Sequence, residues 1–378
     1  MIVKIGDVIS EYSVRNKFDE NIPVYSVTNE KGFCTGYFSK EVASKDKSTY
    51  KIVPRGYFAY NPSRINVGSV DWQKYEDRVI VSPLYVVFGV SDRLDRQYLL
   101  HYLKSDMMLS FIKEYATGSV RDNLKLADLG KLPINLRPVE EQRQIATTLD
   151  KIDDLIAKRR QQLDKLDELV KSRFIEMFGD PVFNPFEWST RPLLEMGYCK
   201  NGMNFHTGDR GIEMHCLGVG DFKEYSVIDG TDHLPIVSLN EVPSEESMLQ
   251  DGDIVFVRSN GNKALVGRCL VVYPRSTPTT YSGFCIRYRL TSDEVNTAYL
   301  LRVLKTDSMR ERMAGRGANI QNLNQQILAT LEIPTPPMRL QEQFAAFVAQ
   351  TDKSKLAIQK SLDKLEILKK ALMQKYFG

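Results

Sequence analysis

VEEQRQIATTLDKIDDLIAKRRQQLDKLDELVKSRFIEMFG, residues Val139–Gly179, decides how this chain is read, because the chain contains it twice. Shifting the sequence on itself by 199 positions lays Gly118–Gly179 over Gly317–Gly378 without a gap. In that register Asn123–Leu124 meets Asn322–Leu323, Pro138 meets Pro337, and Gln142 meets Gln341. Further on, Leu163–Leu166 meets Leu362–Leu365 (LDKL in both), and Phe178–Gly179 meets Phe377–Gly378. A repeat of this period is a whole domain plus a helix, not a solenoid unit. Two copies of one device imply a bipartite function.

Steps of four and three from Ile145 pick out Leu149, Ile152, Ile156, Arg159, Leu163, Leu166, Val170, Arg173 and Met177. A 3.5-residue period held over roughly five heptads signals a coiled coil, with charged residues on the solvated face. The second copy carries the seam Phe344, Val348, Thr351, Lys355, Ile358, Leu362, Leu365, Lys369, Leu372, Tyr376. The polar breaks are offset, Arg159 aligning with Ile358 and Lys355 with Ile156, which suits two helices of one chain packing on each other. At 1.5 Å per residue each would be on the order of 57 Å long, enough to hold two heads apart.

Before the first copy, residues 1–97 read as mixed β structure. Ile22–Val27 (IPVYSV) and Ser82–Phe88 (SPLYVVF) are predicted strands, with a short buried strand at Tyr57–Tyr60. Tyr98–Tyr115 has helical spacing, with Leu99, Leu100, Leu103, Met107 and Phe111 on one face. After Gly179, Asp180–Pro181 and Asn184–Pro185 form a linker that cannot stay helical. Residues 188–298 then replay the first head in altered letters. Asp251–Val257 matches Arg55–Asn61, Val266–Gly267 matches Val67–Gly68, Ser282–Tyr288 matches Ser82–Phe88, and Tyr299–Leu301 matches Tyr98–Leu100. One scaffold with unlike loops suits two unlike targets.

Composition fits an ordinary globular protein of two or three domains: 378 residues, 42% hydrophobic and 26% charged, which argues against disorder or a fibre. No apolar run approaches a membrane span, and Met1–Ile5 lacks a signal layout, so no membrane partner and a cytoplasmic location are expected. The five cysteines are scattered and never spaced as CxxC, as expected of free thiols in a reducing compartment. A net charge of +3 says little about an anionic partner.

The layout of head, long helix, second head and second long helix resembles the specificity subunit of type I restriction–modification systems, over essentially the whole chain. Its local marks are Gly-x-x-x-x-Asn-Leu (Gly118–Leu124 and Gly317–Leu323), Pro-x-x-x-Gln (Pro138–Gln142 and Pro337–Gln341) and the linker FGDPVFNP (Phe178–Pro185). The resemblance implies an α+β fold: two mixed α/β target-recognition domains separated by two long helices forming an antiparallel coiled coil, with a pseudo-twofold internal repeat. The divisions are then 1–138 and 188–337 for the recognition domains, 139–179 and 338–378 for the helices, and 180–187 for the linker. It further implies that each domain reads one half of a split sequence in double-stranded DNA. The helices would fix the gap and dock two adenine-methylating subunits, which the motor–nuclease subunits join. The subunit itself would be no enzyme and would need no cofactor.

Catalytic signatures agree with that implication. The nearest approaches to an amino-methyltransferase motif, Asn61–Pro62–Ser63–Arg64 and Asp180–Pro181–Val182–Phe183, lack the second proline, and no phosphate-cradling Gly-x-x-x-x-Gly-Lys motif occurs. His206, His215, Cys216 and Cys199 match no common zinc spacing. Glu140–Glu141 and Glu245–Glu246 read as solvated charges.

Two polar loops follow equivalent strands: Asn61, Ser63, Arg64 and Asn66 in the first head, and Arg258, Ser259, Asn260, Asn262 and Lys263 in the second. Arg suits guanine and Asn suits adenine, because each can make two hydrogen bonds to one base edge in the major groove. The plain alternative is a hairpin loop rich in turn formers. Further candidates are Thr28, Asn29 and Lys31, then Lys200, Asn201 and Asn204. Lys45, Lys47 and Lys51, and Arg310, Arg312 and Arg316, are basic runs suited to phosphates or to an ordinary solvated surface. Arg121, Asn123, Asn319, Gln321 and Asn322 sit where head meets helix and suit a structural or docking role. Three rival readings stay open: a coiled-coil scaffold with protein-binding heads, the recognition subunit of a fused methyltransferase–nuclease system, and an enzyme built on His206, His215 and Cys216.

Overall fold

In a computed structural model, residues 1–36, 46–115, 123–206, 208–223, 226–314 and 322–378 are described, the side chains of Lys223, Lys263 and Ala314 excepted. The chain forms two compact units: Met1–Gln161 with Gln359–Gly378, and Gln162–Ile358. Each unit holds one head, the beginning of one long helix and the end of the other. The fold is α+β, and the long helices run Val139–Phe178 and Met338–Phe377.

The first head is built on an antiparallel sheet in the order Ile9–Glu11, Val86–Val90, Phe58–Tyr60, Val70–Trp72. The second repeats it as Gly197–Asn201, Cys285–Leu290, Asp253–Val257, Cys269–Tyr273, then adds Val227–Asp229 in parallel. The repeat holds to the residue: Phe58 faces Phe88 as Ile254 faces Tyr288, and Tyr60 faces Val86 as Phe256 faces Ile286. Its turns match as well. Gly56 and Gly252 have φ of 86° and 89°, and Gly68 and Gly267 have 86° and 77°, a left-handed conformation in which a Cβ would be strained. A terminal clamp also recurs, Ile2–Lys4 pairing Pro133–Asn135 and Thr190–Pro192 pairing Glu332–Pro334.

The expected single helix over Tyr98–Tyr115 is two helices, Arg96–Leu103 and Asp106–Tyr115. Ser105 breaks it: its hydroxyl donates to the Tyr102 carbonyl (2.7 Å) and accepts from Met108 N–H (3.2 Å), closing one helix and capping the next. Thr306 does the same between Val303 (2.8 Å) and Met309 (3.4 Å). The strands expected at Ile22–Val27 and Ser82–Phe88 are also shorter, Ser26–Thr28 and Val86–Val90. Pro23 and Pro83 have no N–H to give to a ladder. Residues 82–85 form a tight turn instead, with Tyr85 N–H on the Ser82 carbonyl at 3.0 Å.

Within each unit the long helices run antiparallel. In the first, Asp153 pairs with Lys369 (2.5 Å) and Arg160 with Glu366 (2.8 Å), so numbers rise on one helix as they fall on the other. In the second, Asp167 pairs with Lys355 (2.5 Å), and Phe174 meets Phe344 edge-on at 5.5 Å. The seam is as the heptads require: Ile145, Leu149, Ile152, Ile156, Val170, Phe344 and Leu362 are buried. Lys355 and Lys369, polar breaks in the second seam, are partly sheltered and answered by acids of the facing helix.

Two devices join helix to head, and both occur twice. Gln142, fully buried at the start of the first long helix, donates to the carbonyls of Arg93 (3.0 Å) and Arg137 (2.7 Å) and accepts from Asp95 N–H (2.8 Å). Gln341 does the same with Glu294 (3.0 Å), Pro336 (2.7 Å) and Asn296 N–H (2.8 Å). Asp95 and Asn296 are the N-caps of the short helices that follow them, so each glutamine ties one helix start to another. At the far ends, the Phe377 ring packs on Tyr98 and Tyr102 at 5.2 and 5.5 Å, and Phe178 packs on Tyr299 at 4.8 Å.

Candidate nucleic-acid interface

The first head gathers residues that lie far apart in sequence. A cleft of about 520 Å³ is lined by Thr28, Asn29, Lys31, Asn61, Arg64 and Tyr85, among others. Thr28 to Lys31 form the turn between strands Ser26–Thr28 and Gly32–Cys34, held by Lys31 N–H on the Thr28 hydroxyl at 3.1 Å. Asn61 to Arg64 leave the end of the buried strand Phe58–Tyr60. Asn61 Oδ1 accepts from Ser63 N–H (3.1 Å) and Ser63 Oγ (3.0 Å), which closes that turn and leaves Arg64 exposed. Ser63, Asn66 and Lys47 do not line the cleft; the Lys47 N–H bonds Asp19 at 3.1 Å. Lys45, Arg121, Asn319, Gln321 and Arg316 lie outside the described residues.

Tyr85 was not among the residues expected at the site. Burial pushes its phenol up, while hydrogen bonds from the Val27 backbone and the Asn61 side chain and the charge of Arg64 pull the other way. The phenol therefore stays protonated at neutral pH and sits among groups that make and take hydrogen bonds. The signal for it was Pro83, which marks residues 82–85 as a turn and so takes Tyr85 out of the strand.

The second head arranges its candidates around the equivalent turn, residues 282–285. Arg258 N–H and Ser259 N–H both reach the Phe284 carbonyl, at 2.7 and 3.3 Å. Asn260 and Asn262 shape the loop, Asn260 Oδ1 accepting from Asn262 N–H (2.8 Å) and Asn262 Oδ1 from Ala264 N–H (3.1 Å). Asn201 belongs to the edge strand against Ile286, and the exposed Asn204 packs against Gly283, where a Cβ would lie 2.0 Å from its Oδ1. Lys200 is paired with Glu246 at 2.5 Å.

Two cations expected to face phosphates turn inward. Lys51 Nζ donates to the Tyr85 carbonyl at 2.7 Å, and desolvation pushes its amine down. Arg310 donates to the Ala264 carbonyl at 3.1 Å. Each braces the backbone beside a candidate loop. The repeated Asn-Leu pair braces them too: Leu124 N–H bonds the Pro62 carbonyl (3.2 Å) and Leu323 N–H bonds the Arg258 carbonyl (2.7 Å). Both leucines are fully buried.

The metal-site constellation does not come together. His206 is exposed, His215 Nδ1 lies 2.9 Å from the Leu234 carbonyl, and burial pushes the Cys216 and Cys199 thiols up to about 12. Among the described residues no group of three His, Cys, Asp or Glu side chains is placed to hold a metal ion. No helix among them is long and apolar enough to cross a membrane.

Two repeated heads with equivalent polar loops, each packed on antiparallel long helices, define a two-headed α+β protein. The model of the family described as type I restriction modification DNA specificity domain matches residues 2–168 and 216–368, and the chain belongs to that family. Among curated relatives, the StySPI specificity subunit of Salmonella potsdam is 23% identical over 303 residues, 74% of this chain and 64% of that protein. The MjaVIII specificity subunit of Methanocaldococcus jannaschii is 23% identical over 303 residues, 74% of this chain and 69% of that protein. The chain thus spans less than two thirds of the length of the Salmonella relative. A type I restriction–modification S subunit from M. genitalium shares the fold, with a TM-score of 0.57 at 16% identity, covering 100% of this chain and 96% of that one. A chain from a study of assembly and conformational transition in a type I restriction–modification system gives a TM-score of 0.58 at 18% identity, covering 100% and 97%.

Proposed function

We propose that this chain is the non-catalytic DNA-recognition and assembly subunit of a type I restriction–modification complex. Each head reads one half of a split duplex sequence, the paired helices set the unspecified gap and dock methyltransferase subunits, and restriction subunits join through that assembly. Recognition then resides in 1–138 and 188–337 and spacing in 139–179 and 338–378. The observation that carries this reading is the contrast between scaffold and loops. Strand register, glycine turns, buried glutamines and Asn-Leu braces recur, while Asn61–Asn66 and Arg258–Lys263 differ at the same place. A shared frame carrying unlike arrays of Arg, Asn, Ser and Lys is what two different half-sites require.

The test is an exchange of residues 1–138 for the corresponding head of another family member, followed by mapping of methylated bases in cells that carry the methyltransferase partner. One half of the modified sequence should change, with the other half and the gap retained. A change in both halves, or in the gap, would refute the division of labour.

A further inference from the structure

Beside each polar loop the repeat presents one bulky apolar side chain to solvent. Leu84 is 79% exposed and Phe284 is 61% exposed. They occupy the same position of the same turn, Ser82–Tyr85 in one head and Ser282–Cys285 in the other. The two turns share their hydrogen bonds. Tyr85 N–H bonds the Ser82 carbonyl at 3.0 Å and Cys285 N–H bonds the Ser282 carbonyl at 2.8 Å. Leu84 N–H meets Ser82 Oγ at 3.4 Å and Phe284 N–H meets Ser282 Oγ at 3.3 Å.

Single exposed apolar residues are ordinary on a protein surface. Three observations set these two apart. Both heads keep a large apolar group at this position although the surrounding letters differ. Neither side chain belongs to the apolar clusters that form the cores among the described residues. Each turn is also locked to the candidate loop. In the second head the Phe284 carbonyl holds Arg258 N–H and Ser259 N–H, and in the first the next residue, Tyr85, lines the cleft with Asn61 and Arg64. Lys51 fixes the turn from below through the Tyr85 carbonyl at 2.7 Å. A rigid tip fastened to a loop of base-reading groups delivers its side chain wherever that loop goes.

We infer that Leu84 and Phe284 are specificity-determining contact residues, one per half-site, that pack against apolar base surface. This rests on the proposed reading of the heads as DNA-recognition domains. Two sources offer such surface: the C5-methyl of thymine in the major groove, and the face of a base at a step that has been opened.

The experiment uses the full chain with its methyltransferase partner, comparing wild type with Leu84→Ser and Phe284→Ser. Because both side chains are exposed, the melting temperature should not move, and that is measured first. Methylated bases are mapped in cells, and affinity is measured on a duplex carrying the wild-type target. Each variant should bind about tenfold more weakly, equivalent to 1.4 kcal/mol. Each should relax selectivity in one half of the target only, Leu84→Ser in one and Phe284→Ser in the other. Duplexes with deoxyuridine replacing each thymine in turn identify a methyl contact, as a position where wild type loses affinity and the variant does not. Duplexes with 2-aminopurine identify an opened step, as a fluorescence gain on wild-type binding that the variant lacks. Wild-type affinity and selectivity in both variants would overturn the inference while leaving the proposed function intact. If the wild-type complex modifies no split sequence, the proposed function itself fails.

Discussion

Gln142→Ala should loosen the junction between the first head and its helix and leave the equivalent junction in the second head unaffected. The side chain is fully buried and satisfies three backbone groups: the carbonyls of Arg93 and Arg137 and the N–H of Asp95. A net contribution of about 1 kcal/mol per hydrogen bond, more for any group left unmet, gives a loss on the order of 3 kcal/mol. For a unit of this size that corresponds to a fall of about 6–12 °C in its melting temperature. Because Asp95 caps the helix Arg96–Leu103, hydrogen exchange should quicken there and at the start of the long helix. Gln341→Ala should do the same at Thr297–Leu304 and spare Arg96–Leu103, since Asn296 takes the place of Asp95. Gln142→Glu adds a pH signature. A carboxylate facing two carbonyl oxygens is disfavoured, so its folded pKa lies above the ordinary value of about 4.3. The penalty is therefore absent below that value and grows as pH rises through the folded pKa. Equal loss of protection in both short helices after Gln142→Ala, or a melting shift below about 2 °C, would refute the reasoning.

Phe377→Ala should cost the first unit about 3–5 kcal/mol, because a buried ring packed on Tyr98 and Tyr102 leaves a cavity that rigid neighbours cannot fill. Chemical denaturation should show the loss, and Phe178→Ala should transfer it to the second unit through Tyr299. The first unit should also weaken in acid. Burial pushes the Asp150 carboxyl up, but hydrogen bonds from His101 (2.8 Å) and Gln97 (2.7 Å) outweigh it, leaving the group below the usual carboxylate range. A depressed folded pKa contributes stability that is present above the unfolded value of about 3.9 and lost as pH falls through the folded one. In Asp150→Asn that part of the acid dependence, read from melts between neutral pH and about pH 3, should disappear.

The helices were legible because a 3.5-residue period sustained across Ile145–Met177 has no other physical solution, and because Gly179 and Pro181 end it. The repeat carried the heads, since a strand aligned with its copy inherits the copy's partners. Periodicity failed where one residue overrules its neighbours. The apolar face Leu99, Leu103, Met107, Phe111 continues across Ser105, yet one hydroxyl satisfies the ends of two helices and splits the run. The loops were legible as polar insertions at matching places. Their assembly was not: nothing near Asn61 specifies that Thr28–Lys31 will face it, because a loop-to-loop contact leaves no period in the sequence. The inward turn of Lys51 and Arg310 was equally invisible. Their partners are main-chain carbonyls, which every residue has.

That preference for main-chain partners explains how a repeated frame tolerates unlike loops. Leu124 and Leu323 hold the two candidate loops through the carbonyls of residues 62 and 258, one a proline and the other an arginine. Lys51 and Arg310 likewise brace carbonyls of Tyr85 and Ala264. A brace of this kind is indifferent to the side chain it supports, so an exposed letter such as Arg64 can change without loosening the frame, whereas Ile65 is buried and the Asn61, Asn260 and Asn262 side chains hold their own turns. The exposed side chains that make no such contact are thereby left to meet a partner. At Asn61, Asn260 and Asn262, where the side chain itself braces the loop, that freedom is lost, because each new letter there breaks a contact on which the turn depends.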